Sequence, residues 1–126
     1  MYTKKIDWKE YQKMTDELAV KIKNSNEFFD GIYGIPRGGL PLAVSLSHIL
    51  QLPILLYPTI NSLVVDDISE TGLTLTSHKN KKIACLFSTT WTTVKPDFYI
   101  STKDDENCWL IFPWEKESIE IQGGYV

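Results

Sequence analysis

Within the stretch SLVVDDISETGLTL at residues 62–75, three apolar residues, Leu63, Val64 and Val65, run directly into two adjacent carboxylates, Asp66 and Asp67. A short apolar run rich in β-branched residues and bounded by turn signals reads as a buried strand. Charges placed at its end are tolerable only where the strand emerges from the sheet. The next segment, Ser69 to Thr74, carries three small hydroxyl residues and a glycine among its six, the composition of a tight turn. The chain is therefore expected to contain a sheet whose strand ends carry polar groups at a rim.

The neighbouring segments set the kind of sheet. Asp7 and Glu10 form an acidic capping box, and Trp8, Tyr11, Thr15, Leu18 and Ile22 recur at steps of three and four, so a helix is predicted over residues 8–24. FFDGIYGI predicts a buried strand at about 29–35. GGLPLAVSLSHIL predicts a helix with Pro41 in its first turn, where proline is tolerated. PILLY at 53–57 predicts a second strand, a short helix is expected from about Thr71, and KIACLF at 82–87 predicts another strand. Strands alternating with helices imply parallel pairing through right-handed crossovers, hence an α/β fold with an open parallel sheet flanked by helices. In the last third, FYI and CWLIF read as short strands separated by the polar loop STKDDEN, a pattern expected for a small C-terminal antiparallel hood over about residues 95–126.

With 126 residues, the chain fits one domain spanning residues 1–126. Its 23% charged residues balance to a net charge of -3, which gives no basic field for nucleic acid. The apolar runs are too short to span a bilayer and no secretory signal is visible, so no membrane partner and a cytoplasmic location are expected. Cys85 and Cys108 lie far apart among apolar residues, as buried thiols in a reducing compartment do. Asp104 and Asp105 read as a solvated turn, and neither His48 nor His78 has a nucleophile or acid at readable spacing.

Ligands of open parallel sheets bind beyond the carboxyl ends of the strands, which places Asp66 and Asp67 at the binding rim. In the turn that follows, free backbone amides offer an anion site, Gly72 lets the backbone come close, and the Thr71 and Thr74 hydroxyls add donors. A phosphate fits there. Two carboxylates beside it would repel an anion unless they hold ribose hydroxyls, which donate to them, or a divalent cation carried by a diphosphate. The expected ligand is a ribose 5-phosphate bearing a magnesium diphosphate.

LVVDDISETGLT resembles the 5-phosphoribosyl 1-diphosphate (PRPP) binding motif of the type I phosphoribosyltransferases, and GIPRGGLPLA resembles that family's diphosphate loop. VKPDFY and CWLIFPWE are similar to the hood of the purine subgroup, the hypoxanthine, guanine and xanthine enzymes. The resemblance implies the type I fold and a magnesium-dependent pentosyl transfer of phosphoribose from PRPP to a nucleobase, a step of purine salvage, in a homo-oligomer. It implies that Asp66 and Asp67 hold the ribose hydroxyls and the metal, that Ser69, Glu70, Thr71, Gly72 and Thr74 form the 5-phosphate turn, and that Arg37, Gly38 and Gly39 approach the diphosphate. Trp109 matches the residue that stacks on the base, and Leu110 matches the one whose backbone reads the ring edge. Glu70 stands where the purine enzymes have an aspartate thought to take a proton from the base.

Two departures accompany the resemblance. Thr89 occupies the base-site position where the purine enzymes usually carry a lysine that donates to the 6-oxo group, with Lys95 a candidate substitute. Only PTINS separates PILLY from LVVDD, where the family has a long closing loop. These departures keep two alternatives open beside a purine acceptor: a non-catalytic sensor of PRPP or nucleotides, and transfer to a non-purine acceptor.

Overall fold

The computed structural model describes residues 1–116. Its chain order is β1 (Tyr2–Lys5), α1 (Trp8–Asn24), β2 (Gly31–Gly34), α2 (Leu40–Leu50), β3 (Ser62–Ser69), a 3-10 turn (Thr76–His78), β4 (Lys82–Thr89), β5 (Ser101–Lys103) and β6 (Cys108–Ile111). The chain divides into two compact units, Met14–Asp104 and the pairing of Met1–Lys13 with the chain from Asp105 onward.

The larger unit is an open sheet in the order β2-β3-β4-β5 with every neighbour parallel, as the alternation of elements predicts. Leu63, Val64 and Val65 of β3 are wholly buried at its centre. Removing such side chains from water is the dominant favourable term in folding, worth roughly 1.5–3 kcal/mol for each large one. Val64 lies in a core with Ile35, Leu75, Ile83, Cys85 and Val94. Helix α2 covers β2 and β3 through Leu42, Ala43 and Leu46. A side chain at Gly34 would meet the Ala43 methyl at 2.7 Å, so glycine is what lets strand and helix approach. Pro41 falls at the first positions of α2, where its missing N–H leaves no bond unmade.

Three expectations are corrected in this unit. PILLY forms only an isolated parallel bridge, Ile54 to Ile32, because Pro53 and Pro58 bound it and proline cannot donate to a ladder. The helix expected from Thr71 is absent, and the 3-10 turn is all that forms. Gly72 at a φ of +90° breaks the helical path close to where the helix was expected to begin. FYI contributes only a bridge from Phe98 to Ala84, while Ser101–Lys103, expected in the polar loop, pairs with β4.

The smaller unit joins β6 to β1 in parallel, from Tyr2 opposite Cys108 to Lys5 opposite Ile111. The antiparallel hood is thus corrected to a parallel pair built with the N-terminus. All four β1 residues are exposed, so no apolar alternation marked them as a strand. The pair is extended by the Tyr2 amide donating to the Asn107 carbonyl at 2.8 Å and the Ile6 amide donating to the Ile111 carbonyl at 2.8 Å. Trp8, Tyr11, Phe112 and Trp114 form an aromatic cluster here, with Phe112 and Trp114 stacked at 5.2 Å. The expected hood also includes residues 117–126, which lie outside the described residues. Among the described residues no helix is long and apolar enough to cross a membrane.

Candidate active site

Because all strands of the larger sheet run the same way, the loops after β2 and β3 and the ends of β4 and β5 emerge at one edge. The acid pair stands at the centre of that edge. Asp66 is buried, and its Oδ1 accepts the Asp67 amide at 2.9 Å, while Asp67 Oδ1 accepts the Ile68 amide at 2.8 Å. Each carboxylate thus caps the next peptide and the two remain side by side. Burial, and then the charge of Asp67, push the Asp66 carboxyl up to about 9, and burial likewise raises Asp67. Two carboxylates held so close in a desolvated place favour a proton, a cation or donor hydroxyls between them.

The residues RGG come to this pair from β2. A side chain at Gly38 would meet Asp67 Oδ2 at 2.5 Å, so only glycine allows the loop backbone to lie against the acid. At Gly39 an added carbon would collide with the Val65 and Ile35 carbonyls, and the Gly39 amide donates to the Ile35 carbonyl at 2.8 Å. Arg37 is exposed on the same loop, and the peptide bond joining Pro36 to Arg37 is cis. The diphosphate-loop residues and the acid pair are therefore brought together.

The turn after β3 is fixed from the loop that follows β4. The buried Ser69 hydroxyl donates to the Val94 carbonyl at 2.7 Å and shares a hydrogen bond with Thr92 Oγ1 at 2.8 Å. The Thr71 carbonyl accepts from both the Thr93 amide at 3.0 Å and the Thr93 hydroxyl at 2.9 Å. A carbon added at Gly72 would lie 2.5 Å from Thr93 Oγ1. Thr71 and Thr74 remain exposed. The amides of Thr71, Gly72 and Thr74 have no protein partner among the described residues. This leaves three open amide donors close together in a turn held by hydrogen bonds to the following loop. The donors belong to a turn, so the dipole of a long helix does not contribute.

Glu70 and Thr89 meet in a way the sequence does not announce. The Thr89 side chain is buried and its hydroxyl donates to the Glu70 carbonyl at 2.5 Å, so it turns inward to brace the turn after β3. The Glu70 carboxylate receives the Lys103 ammonium at 3.1 and 3.2 Å. Lys103 is only 8% exposed and its Nζ also lies 5.3 Å from the centre of the Trp91 ring. Sequence reasoning missed Lys103 because it falls in a run of polar residues; the β-branched Ile100 and Thr102 before it were the only strand signal. Lys95, the candidate substitute, is exposed and lies over the Tyr99 ring at 5.6 Å.

In the smaller unit, Trp109 is 46% exposed on β6 between the buried Cys108 and Leu110. Its indole face is thus available for stacking. Leu110 lies opposite Lys4 in the β1–β6 pair. Elsewhere, burial raises the Cys85 thiol well above its ordinary value, which makes it an inert core residue.

For a divalent cation, the described residues provide the Asp66–Asp67 pair but no group of three or more acidic, histidine or cysteine side chains. The donor set fits a cation whose remaining ligands arrive with a bound diphosphate.

No protein-family model matches the chain, and no curated protein sequence does. Among solved structures, a purine phosphoribosyltransferase from Pyrococcus horikoshii Ot3 is similar at 31% identity and a TM-score of 0.78, over 92% of this chain and 96% of that one. A xanthine-guanine-hypoxanthine phosphoribosyltransferase from Helicobacter pylori shares the fold at 21% identity and a TM-score of 0.76, over 97% and 99% of the two chains. A protein from Neisseria gonorrhoeae with bound ppGpp shares it at 18% identity and a TM-score of 0.77, over 97% and 94%.

Proposed function

This chain belongs to the purine phosphoribosyltransferase family, a type I fold, and on that premise we propose that it transfers the 5-phosphoribosyl group of PRPP to a ring nitrogen of a purine base, releasing diphosphate. The observation that carries the reading is the convergence at one sheet edge of a glycine loop pressed against Asp67, a buried acid pair and a turn with open amides. These three elements suit the diphosphate, the ribose with its metal, and the 5-phosphate.

The Thr71–Thr74 turn binds the 5-phosphate through its amides and hydroxyls, while Asp66 and Asp67 accept the ribose hydroxyls and hold magnesium. Bound magnesium supplies charge neutralisation for the departing diphosphate. In the transfer, a bond forms between the acceptor nitrogen and C1 of the ribose as the C1–oxygen bond breaks, and the electron pair leaves with the diphosphate. The nearby carboxylates stabilise the positive charge that builds at C1. Glu70 takes the proton released from the acceptor ring; the family resemblance assigns stacking on the base to Trp109 of the smaller unit. Loop amides at Gly38 and Gly39, together with Arg37, hold the diphosphate. Homo-oligomeric assembly and a cytoplasmic setting belong to the same reading.

A second reading, sensing of PRPP or a nucleotide without transfer, draws on the brevity of the connection from Ile54 to β3. Leu56, Tyr57 and Ile60 in it are 83%, 78% and 82% exposed, and so short a segment excludes little water. A third, transfer to a non-purine acceptor, is separated from the first by the same experiment. Purified protein is incubated with PRPP, magnesium and a panel of bases, and diphosphate release is followed. Release with hypoxanthine, guanine or xanthine is expected. Release with none of the bases, while PRPP still binds, favours the sensor.

A further inference from the structure

The larger sheet has a second rim, where its strands begin, and a cavity opens there. The cavity encloses about 360 Å³ and lies within the larger unit, beside Ser62 and Lys82, the first residues of β3 and β4. That volume falls in the range of small-molecule sites, about 300–1,000 Å³. The eight-residue strands β3 and β4, rising about 3.3 Å per residue, hold this rim about 23 Å from the turn after β3.

Both walls of the cavity are fixed by hydrogen bonds. On one side the Ser62 hydroxyl donates to the Thr59 carbonyl at 2.8 Å and accepts the Thr59 amide at 3.0 Å, while the Thr59 hydroxyl meets the Asp30 carboxylate at 2.7 and 2.8 Å. On the other the Lys81 amide donates to the His78 carbonyl at 2.9 Å. The charges on the lining are unevenly matched. Its two acids, Glu27 and Asp97, both face Lys82, at 3.6 and 3.9 Å, and Asp97 Oδ2 also accepts the Ile83 amide at 2.8 Å. Lys79 and Lys81 are left over. The Lys79 ammonium has no partner among the described residues, and that of Lys81 meets only the Asn80 side-chain oxygen, at 3.2 Å. The Asn80 amide likewise has no protein partner among the described residues. In a chain with a net charge of -3, this rim therefore carries a local positive field.

The same cavity has an apolar wall. Phe28 and Ile60 line it and are 76% and 82% exposed. Singly exposed apolar side chains are ordinary, but two beside one cationic cavity give a flat ring a surface to lie on. We infer that this cavity is a second ligand site and takes a nucleoside phosphate: Lys79 and Lys81 hold the phosphate, and the ring packs on Phe28 and Ile60. An inorganic anion would leave the apolar wall in water, and an uncharged ring would leave the two ammoniums unmatched. None of these residues takes part in the proposed transfer, so the site stands whether or not a base is transferred.

The test titrates isotope-labelled protein with adenosine monophosphate (AMP) and follows backbone amides by NMR. The two rims are read separately, through Asn61, Asn80 and Lys81 at this one and through Thr71, Gly72 and Thr74 at the other. Saturable shifts of Asn61, Asn80 and Lys81 are expected at millimolar AMP, with adenosine or inorganic phosphate alone binding there at least about tenfold more weakly. Lys79→Gln combined with Lys81→Gln should weaken AMP at this rim at least about tenfold, and Phe28→Ala should weaken it about tenfold. Lys79 and Phe28 are exposed and Lys81 is half-buried, so these variants should melt as the parent does and leave the response of Thr71, Gly72 and Thr74 in place. The site is overturned by no saturable shift at Asn61, Asn80 and Lys81, or by unchanged affinity there in the double lysine variant. Phosphate alone binding as tightly as AMP, or unchanged affinity in Phe28→Ala, overturns the nucleoside phosphate as its ligand. Shifts at Asn61, Asn80 and Lys81 without any at Thr71, Gly72 and Thr74 uphold this site while counting against the phosphate turn of the transferase reading.

Discussion

Asp66 shows how a buried carboxyl beside a second one costs the ligand-free protein stability. Its carboxyl is raised from the ordinary value of 3.8 to about 9 by burial and by Asp67, so the folded chain holds a proton that the unfolded chain releases. Stability from this group is complete below the ordinary value and is lost as pH rises toward the folded value, because the native state binds more protons across that window. In the metal-free protein, Asp66→Asn should therefore flatten the fall in stability between about pH 4 and pH 9 and gain roughly 1–3 kcal/mol at the upper end, read by urea unfolding in the presence of a chelator. Parallel stability curves for the two proteins would show that the acid carries no such burden. Trp109 makes a complementary case. An indole 46% exposed is removed without opening the core, so Trp109→Ala should weaken base binding by about 1–3 kcal/mol while the melting temperature holds nearly still. Unchanged affinity with a lower melting temperature would place Trp109 among the packing residues instead.

At the scale of elements, the turn after β3 depends on a loop distant in sequence. Ser69 and Thr71 are hydrogen-bonded to Thr92, Thr93 or Val94, and the same segment packs so close to Gly72 that a side chain there would collide with it, which holds a glycine turn in one conformation. Gly72→Ala meets a φ of +90° and a clash with Thr93 together. It should destabilise the fold by roughly 1–3 kcal/mol and weaken PRPP binding at least tenfold, measured by thermal melts and calorimetry. A variant that binds as well as the parent would detach the turn from the phosphate. This dependence also explains what could be read beforehand. Helix α1 is legible because its period and cap are local, and β3 because an apolar run meeting two acids has few other meanings. The 92–94 brace, β1 and β5 are not legible, since they arise from pairing between distant segments whose own residues show no alternation. Lys103 is hidden for the same reason: a lysine in STKDDEN looks solvated until β5 docks on β4 and buries it.

On the scale of the whole molecule, the groups assigned to PRPP come from the loops after β2 and β3 and are assembled only when the larger sheet forms, so the unfolded chain has no equivalent site. A ligand bound to the native state alone stabilises it by RT ln(1 + [L]/Kd), about 2.7 kcal/mol at a hundredfold excess over Kd. For a chain of 126 residues that corresponds to a rise in melting temperature of roughly 5–15 °C. The rise should grow with the logarithm of PRPP concentration and shrink when magnesium is chelated, because the acid pair then meets the diphosphate without a cation between them. Asp66→Asn combined with Asp67→Asn should remove the magnesium dependence and most of the rise. The double variant should itself fold, since both carboxylates stand at the rim where neutral amides relieve the repulsion between them. Two results would break the link between fold and ligand: no rise at millimolar PRPP with magnesium, or the same rise in the double variant as in the parent.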